Sequence, residues 1–364
     1  MKVALVEAFF TGSHKRWAEE MQTFSSHKID IFSLKGNYWK WRMHGGAITL
    51  ANQFLEKGEK YDLILATDMM DLSLFKSLIS AKYNNIPIAL YFHENQLCYP
   101  WSETDRDVQK NRDSHYAFIN FSSALVADQV FFNSHFHKDS FLGALPNFLK
   151  GFPDYNELDS IKKIEAKSEV LYLGMDLQKF NKYKTEQNKK PLILWNHRWE
   201  YDKNPTDFFK ALYKMQEKNL DFEVVILGEN FRQIPEEFEI AKEKLKDKIS
   251  FMGYTESFKD YANWLWKAHI LPVTSNQDFF GGSVVEAIFC NCYPILPKRL
   301  AYPEHLQNNE SCFYNSYEEF CQKLEDAICN FSNLENLNSF VEKYDWKDII
   351  DEYDKKLCQI KKPS

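Results

Sequence analysis

The feature that most constrains the fold is an alternation of short apolar runs with longer segments of helical period. In the first half these runs read "KVALVEAF", "DLILATD", "IPIALYFH" and "DQVFFNS"; in the second half they read "PLILWNH", "FEVVILGE", "KISFMGY", "HILPVTS" and "YPILP". Continuous apolar strands separated by helices indicate parallel sheets that are covered on both faces. Two such series in 364 residues predict two doubly wound α/β domains.

A polar segment, "FNKYKTEQNKKP", separates the two series and is typical of a linker. We therefore expect a first domain at 1–180 and a second domain at 181–345. The last segment, 346–364, is predicted to be an amphipathic helix and tail. In two-domain enzymes of this kind a terminal helix can return to the first domain.

Charge and cysteine content exclude several classes of protein. The net charge of −7, with 45 basic and 52 acidic residues, argues against a general nucleic-acid binder but allows local basic patches. No apolar run approaches the roughly 18–20 residues of a membrane span. Glu7 interrupts the apolar N-terminus, so we interpret it as a strand and not as a signal peptide. Seven cysteines without a C-x-x-C pair indicate neither disulfides nor zinc, and Cys290 and Cys292 are expected to be buried in a cytoplasmic protein.

Two carboxylates eight positions apart, Asp278 and Glu286, lie in the stretch "SNQDFFGGSVVEAIF". Ser283 and Glu286 have the spacing of a capping box, in which Glu286 would only satisfy backbone donors of its own helix. Asp278 has no such explanation because it precedes the glycines. The alternative is that both carboxylates bind a ligand.

A diphosphate site is predicted where "FFGG" leads into a helix. Gly281 and Gly282 permit close backbone approach, and a helix start offers free N–H groups to an anion. The loop "NHRWEYDKNP", which follows another strand, adds the cations Arg198 and Lys203. Alone, that loop could equally be a solvated charged surface.

Three further segments are candidates for binding an acceptor. Gly12 and His14 follow the first strand, where a simple turn with Ser13 as N-cap is the alternative. "NYWKWRMHGG" interleaves aromatic rings with Lys40 and Arg42, which suits stacking on bases and contact with phosphates. An amphipathic strand with core tryptophans explains that segment equally well.

Polar residues also follow the apolar strand "IPIALYF" directly, in the order His93, Glu94, Asn95 and Gln96. Packing explains such a cluster poorly. Ligands of open α/β sheets bind beyond the carboxyl ends of the strands, so we expect a functional role here.

The second half resembles the donor domain of retaining GT-B glycosyltransferases of the GT4 type. Asp278 to Glu286 resembles their E-x7-E motif, with aspartate where glutamate is usual. Arg198 and Lys203 match the arginine and lysine of that family, and "LYLGMDLQKF" resembles its N-G-V-D-x-x-x-F segment. The implied fold is GT-B, with two Rossmann-like domains facing a cleft.

The first half is similar to a narrower family, the tRNA-queuosine α-mannosyltransferases. "VEAFFTGSHKRWAEEM", "YWKWRMHGGA", "YFHENQLCYP" and "LVADQVFFNSHFHKDSFL" carry this resemblance, which extends to about residue 305. It implies transfer of mannose from GDP-mannose, with retention, to the cyclopentenediol of queuosine at the wobble position of tRNA(Asp). It further implies no metal or other cofactor, no membrane and no obligate protein partner.

The resemblance assigns roles to the candidate residues. We expect the catalytic residues to be His93, Arg198, Lys203 and Asp278. The expected donor-binding residues are Gly12, His197, Gly281, Gly282, Ser283 and Glu286. The expected acceptor-binding residues are His14, Lys40, Trp41, Arg42, Glu94 and Asn95. Asp105 and Asp107 form a D-x-D, but a D-x-D metal site belongs to the other glycosyltransferase fold, so we expect a solvated loop.

Three other classes of function are considered beside this one. A GT4-type enzyme that acts on a lipid, polysaccharide or small molecule would keep the donor motifs. An enzyme that acts on a lipid should also have an amphipathic face that binds membranes. The sequence contains no convincing example of such a face. A non-catalytic sugar-nucleotide-binding protein would lose His93, which is present. A pure RNA-binding module is disfavoured by the net charge.

Overall fold

A parallel β-sheet forms the centre of each half of the chain in the computed structural model, which describes residues 1–101, 115–228, 235–307 and 309–361. In the first sheet the spatial order is β2-β1-β3-β4-β5-β6, and in the second it is β12-β11-β10-β7-β8-β9. The strands are β1 (Lys2–Phe10), β2 (Lys28–Lys35), β3 (Leu63–Thr67), β4 (Ile88–Phe92), β5 (Gln129–Phe132), β6 (Ser168–Val170), β7 (Leu192–Asn196), β8 (Glu223–Leu227), β9 (Ile249–Gly253), β10 (Ile270–Pro272), β11 (Tyr293–Pro297) and β12 (Phe313–Tyr314).

Helices connect these strands, as parallel pairing requires. In chain order, the helices in the described ranges are α1 (Gly12–Phe24), α2 (Trp39–Lys57), α3 (Leu72–Tyr83), α4 (His115–Val126), α5 (His135–Lys150), α6 (Asp159–Glu165), α7 (Pro205–Glu217), α8 (Glu236–Lys244), α9 (Phe258–Lys267), α10 (Gly282–Phe289), α11 (Tyr302–His305), α12 (Tyr317–Cys329) and α13 (Trp346–Gln359). Short 3₁₀ turns lie between some of them, including one at Tyr201–Lys203.

All nine strands predicted from apolar runs are present, and three further strands were missed. The missed strands are β2, β6 and β12. β2 lies at the edge of its sheet and alternates buried with partly exposed residues, so it lacks a continuous apolar run. β6 has three residues and β12 has two, which is too short for a periodic pattern. The amphipathic strand considered for the segment around Trp39 is wrong, because α2 begins there.

The chain divides into two units at Met175 and Asp176, not at 180/181 as expected. The reason is that the residues just after Asp176 bind within the second unit. The backbone amides of Leu177 and Gln178 both donate to Asp345, at 2.9 and 3.0 Å. Phe180, which begins the supposed linker, is apolar and completely buried in that unit.

The C-terminal helix α13 belongs to the first unit. Its Tyr353 hydroxyl accepts a hydrogen bond from the Trp17 indole at 3.2 Å and donates to the Tyr172 carbonyl at 2.7 Å. Asp354 accepts from the hydroxyls of Ser25 and Ser26, both at 2.6 Å. The last helix therefore packs on α1 and the loop that follows it.

Cysteine burial follows the expectation from the sequence. All seven cysteines lie in described residues and are free, and Cys290 and Cys292 are buried. Within the described ranges, no helix combines the length and apolar content needed to cross a bilayer.

Candidate active site

Each sheet has a point at which the order of its strands reverses, and ligands of such sheets bind beyond the carboxyl ends of the strands at that point. In the second sheet the reversal lies between the neighbours β7 and β10. His197 follows β7 directly, and Asp278 lies in the loop after β10. The predicted donor residues therefore converge at the place where the topology puts a ligand.

Lys203 joins the loops after β7 and β10. Its ammonium group donates to the Gln277 carbonyl at 2.6 Å and to Asp278 Oδ1 at 3.0 Å, and it pairs with Asp202 at 3.0 Å. Burial lowers the pKa of Lys203, but Asp278 and Asp202 raise it more, so its pKa lies above the ordinary value. Lys203 is thus a buried cation that orders this edge of the sheet.

Arg198 differs from Lys203 in being open to solvent. Its side chain is 47% exposed and pairs with Glu200 at 3.3 Å. A half-exposed guanidinium can turn towards an arriving anion without leaving a buried charge behind. Of the two predicted cations, Arg198 is the one accessible to a diphosphate.

Asp278 is held on both of its carboxylate oxygens. Lys203 donates to Oδ1, and the Tyr302 hydroxyl from α11 donates to Oδ2. Burial raises the pKa of Asp278, but Lys203, His197 and the Tyr302 hydroxyl together hold it below the usual range. Asp278 is therefore ionised at neutral pH.

Gly281 begins α10 in a conformation that suits glycine. Its φ of +83° lies in the left-handed region, and a β-carbon there would come within 3.1 Å of the Tyr302 ring. Gly281, not Ser283, is the N-cap residue. The capping-box alternative is wrong, because Ser283 already lies inside the first turn of the helix.

Glu286 lies buried on α10, where it accepts a hydrogen bond from the Tyr261 hydroxyl of α9 at 2.5 Å. Tyr261 also accepts from the Asn196 side chain at 3.0 Å. Asn196 in turn donates to the Ser283 carbonyl at 3.0 Å. This chain of polar groups ties the end of β7 to the start of α10.

His197 is buried and neutral beside this helix start. Burial lowers its pKa to about 4, although Asp278 pulls in the opposite direction. Its Nδ1 lies 3.4 Å from the Ser283 hydroxyl. Within the described residues its Nε2 has no hydrogen-bond partner, which is costly for a buried polar atom. A ligand that offers a polar group there would satisfy it.

In the first unit the strand order reverses between β1 and β3, and His14 lies just beyond the end of β1. His93 follows the end of β4, and the His14 and His93 rings are 4.2 Å apart between centroids. Gly12 begins α1 with a φ of +51°, and a β-carbon there would meet no atom within 4 Å. The structure thus brings His14 and His93 together.

The remaining residues of the cluster after β4 have different surroundings. Asn95 is completely buried, and its side-chain oxygen accepts from the backbone of Leu97 and Cys98 at 3.1 and 2.9 Å. Its amide nitrogen has no partner among the described residues. Glu94 is partly buried and accepts from Gln96 at 3.0 Å. The Asn95 side-chain oxygen therefore stabilises the loop, whereas the side-chain N–H groups make no hydrogen bond within the described residues.

Lys40, Trp41 and Arg42 lie in the first turn of α2. The Trp41 side chain is 62% exposed, so the core alternative is wrong for this ring. The Lys40 ammonium lies 5.3 Å from the centroid of Trp101, and Arg42 donates to the Lys35 carbonyl at 3.2 Å. The first turn of α2 therefore exposes the Trp41 ring to solvent beside the cations Lys40 and Arg42.

One group in the described part of the chain has the spacing of metal ligands: Glu7, His14 and His93, whose donor atoms lie within 4.8 Å of one another. Both Glu7 oxygens are already engaged, one by the Phe9 amide and one by His14. Glu7 and His14 form an ion pair within this group. Asp105 and Asp107 lie outside the described residues.

Four important residues were missed at the sequence level. Tyr302 and Tyr261 hold the two carboxylates of the donor site, and Glu7 and Asp68 lie beside His14 and His93. The sequence does not indicate whether the hydroxyl of a helical tyrosine makes a hydrogen bond to a site residue. A charged residue that interrupts or ends an apolar strand, as Glu7 and Asp68 do, is the one available signal.

Two family models match successive parts of the chain. Residues 2–175 match the family described as tRNA-queuosine alpha-mannosyltransferase N-terminal, and residues 178–343 match Glycosyl transferases group 1. The tRNA-queuosine alpha-mannosyltransferase of Drosophila melanogaster is 34% identical over 337 residues, which cover 88% of this chain and 87% of that protein.

Solved structures of glycosyltransferases are similar in fold. Sucrose-phosphate synthase from Thermosynechococcus elongatus has a TM-score of 0.71 at 13% identity and covers 99% of this chain and 98% of its own. A glycosyltransferase from Rickettsia africae has a TM-score of 0.64 at 18% identity, over 98% and 95% of the two chains. With two six-stranded parallel sheets, the fold is GT-B.

Proposed function

The chain belongs to the family of tRNA-queuosine alpha-mannosyltransferases, and from this premise we propose that it transfers a mannosyl group to queuosine in tRNA. In this proposal the donor is GDP-mannose and the acceptor is the cyclopentenediol of queuosine at the wobble position of tRNA(Asp). The anomeric configuration of mannose is retained. The free cysteines suit a cytoplasmic enzyme.

The observation that carries the proposal is the convergence of Lys203, Asp278 and the start of α10 at the strand reversal of the second sheet. The helix start offers backbone N–H groups and a positive dipole to the diphosphate of GDP. Arg198 adds a cation from the accessible side. Lys203 is already balanced by carboxylates, so its main contribution is to hold Asp278 in place.

Glu286 is proposed to bind the ribose of the donor. A carboxylate has two oxygens with about four acceptor positions, so the hydrogen bond from Tyr261 leaves capacity for ribose hydroxyls. The orphan Nε2 of His197 is proposed to accept a polar contact from the donor. Asp278, as the shorter replacement for glutamate, is proposed to act on the sugar from its place between Lys203 and Tyr302.

The proposed transfer breaks the bond between the mannosyl carbon and the phosphate oxygen and forms a bond to a queuosine hydroxyl on the same face. The hydroxyl proton leaves with the departing diphosphate. Charge develops on that diphosphate, where preorganised cations and N–H groups stabilise the transition state. His93, with Glu94 and Asn95, is proposed to orient the reacting sugar and the acceptor. No metal takes part in these steps.

The tRNA is proposed to contact the first turn of α2. Trp41 can stack on an unpaired base, and Lys40 and Arg42 can contact phosphates. His14 is proposed to lie closer to the reacting groups, since its ring packs against His93.

A donor panel tests the proposal. The enzyme is incubated with labelled GDP-mannose, GDP-fucose, UDP-glucose or ADP-glucose and queuosine-containing tRNA, with EDTA or with magnesium. We expect label in tRNA from GDP-mannose alone, at the same rate in both conditions. Transfer from a UDP-sugar would contradict the donor assignment, and loss of activity in EDTA would contradict the metal-free mechanism. Label in lipid or polysaccharide extracts, without label in tRNA, would favour the alternative acceptors.

A further inference from the structure

Glu7 is a carboxylate buried completely in the middle of an apolar strand. Its Oε1 accepts a hydrogen bond from the Phe9 amide at 2.7 Å, and its Oε2 lies 3.1 Å from His14 Nδ1. A buried carboxylate is costly unless a partner compensates its charge. Its side-chain partner is an ionisable ring near the proposed reaction centre.

His14 is surrounded by acidic groups from three elements. Glu7 faces it from β1, Asp68 from the loop after β3, and Glu94 from the loop after β4. Burial lowers the pKa of His14, but these carboxylates raise it to about 9, with Glu7 contributing most. His14 therefore carries a positive charge at neutral pH.

His93 has the opposite charge state although its ring touches that of His14. It packs against the edge of Trp17 at 4.7 Å and beside Tyr91 at 4.9 Å between ring centroids. Burial holds the pKa of His93 well below its ordinary value, and the repulsion from His14 and from His137 on α5 adds to this effect. Its Nε2 is buried without a hydrogen-bond partner in the described part of the chain. His93 is thus neutral, with a ring nitrogen in need of a partner.

We propose that Glu7 is a positioning residue for glycosyl transfer, which clamps His14 as a cation against His93 and so keeps His93 neutral. In the neutral form one ring nitrogen of His93 can accept a hydrogen bond from a substrate hydroxyl, and a protonated ring cannot. The backbone fixes the position of that ring, since the His93 amide donates to Asp68 at 2.7 Å and its carbonyl accepts from Asn133 at 2.9 Å. The inference rests on the proposed function in one respect, that His93 faces the substrate.

The direction of the effect follows from the charges. Glu7→Gln removes the carboxylate that stabilises the charge on His14, so the pKa of His14 falls. His14→Gln removes the charge that repels a proton on His93 at every pH, so in that variant the pKa of His93 rises. The acid limb of the profile of kcat against pH then moves to higher pH. Each unit of that shift lowers kcat about tenfold at pH values below the limb.

The test measures both histidines and the reaction. NMR titration of the ring protons is run on the free protein of the wild type, Glu7→Gln and His14→Gln. We expect His14 to titrate near pH 9 in the wild type and lower in Glu7→Gln, and His93 to titrate higher in His14→Gln than in the wild type. In transfer assays of His14→Gln the acid limb of kcat should move by one unit or more, while the KM for the donor stays unchanged on the alkaline plateau.

Two controls separate positioning from structure. Glu19→Gln removes a carboxylate from the exposed face of α1 and should leave both titrations unchanged. Glu7→Asp keeps the charge and should restore part of the wild-type profile. Thermal unfolding checks that each variant is folded.

Two results would overturn the inference. One is an unchanged titration of His14 in Glu7→Gln, which would mean that Glu7 does not hold the charge on His14. The other is an unchanged titration of His93 when His14 is replaced. Because the NMR arm needs no substrate, it judges the charge assignment even if the enzyme proves to use another acceptor.

Discussion

Asp278 and Lys203 form an ion pair that joins the loops after β7 and β10. Aspartate reaches Lys203 with one oxygen, and the Tyr302 hydroxyl fills the space at the other. Removal of Asp278 leaves Lys203 paired with Asp202, so one of the two ion pairs of a buried cation is lost. Loss of a hydrogen-bond partner by a buried group costs about 1–3 kcal/mol in known proteins.

We predict that Asp278→Asn destabilises the protein by about 1–3 kcal/mol and abolishes most transfer, whereas Asp278→Glu folds and keeps measurable activity. The pKa of Asp278 is depressed, so its stabilising effect is present at neutral pH and is lost as the pH falls below the ordinary carboxyl range. Urea unfolding at pH 7 and at pH 3 measures this. An unfolding free energy for Asp278→Asn equal to that of the wild type at pH 7 would refute the buried pair.

Glu286 offers a second test at the scale of a residue. Glu286→Gln can keep the hydrogen bond from Tyr261 but loses the charge, so we expect the Kd for GDP to rise about tenfold, or about 1.4 kcal/mol, without loss of stability. Titration calorimetry with GDP measures it. Tyr261→Phe is the matched variant, which keeps the charge and releases the hydrogen bond. If GDP binds Glu286→Gln as tightly as the wild type, Glu286 does not contact the donor.

Among elements, helix starts carry most of the proposed chemistry. The N-cap of α10 is a glycine, Gly281, at which another residue would be strained by the positive φ and by a close contact with Tyr302, and α2 begins after Tyr38 in the left-handed region with φ of +56°. Glycine pairs and capping patterns can be found in a sequence because they are contiguous. Which residue occupies the N-cap depends on the backbone conformation. The sequence pattern therefore suggested Ser283 for a position that Gly281 occupies.

The first turn of α2 leads to a prediction on RNA binding. Because Trp41 is exposed, Trp41→Ala should fold normally and weaken tRNA binding by about 1–3 kcal/mol. Replacing Lys40 and Arg42 by alanine should reduce the salt dependence of binding by about 0.7 log units per phosphate contact. Filter binding at several salt concentrations measures both effects.

Tyr254→Ala removes an equally exposed ring from the second unit and is the control for Trp41→Ala. We expect it to leave tRNA affinity unchanged. If both variants bind tRNA as the wild type does, the assignment of an RNA surface to α2 fails, and the transferase assignment is unaffected.

For the whole molecule, the alternation of strands and helices was enough to predict the two-domain α/β architecture, because parallel strands covered on both faces are apolar throughout. The exact boundary was not predictable, because the partner of Leu177 and Gln178 is Asp345, far along the chain. The same holds for Tyr302 and Asp278, which come from separate elements. Contacts between distant segments leave no local pattern.

The return of α13 to the first unit gives a prediction on stability. The buried Tyr353 hydroxyl bonds with the Trp17 indole, the Tyr91 hydroxyl and the Tyr172 carbonyl. Tyr353→Phe leaves the Trp17 indole and the Tyr172 carbonyl without this partner, at a cost of about 1–3 kcal/mol in the free energy of unfolding. Urea denaturation followed by tryptophan fluorescence measures it. A change below about 0.5 kcal/mol would show that this network does not stabilise the unit.

The most direct test of the central claim is transfer to a matched pair of tRNA(Asp) samples that differ only in queuosine at the wobble position. The enzyme is incubated with labelled GDP-mannose and each tRNA. The tRNA is digested to nucleosides, which are separated by liquid chromatography, and their masses are measured by mass spectrometry. We predict one added hexose on the queuosine nucleoside and no label in the tRNA that lacks queuosine. Equal labelling of both tRNAs, or labelling of neither by an enzyme that binds GDP-mannose, would contradict the account.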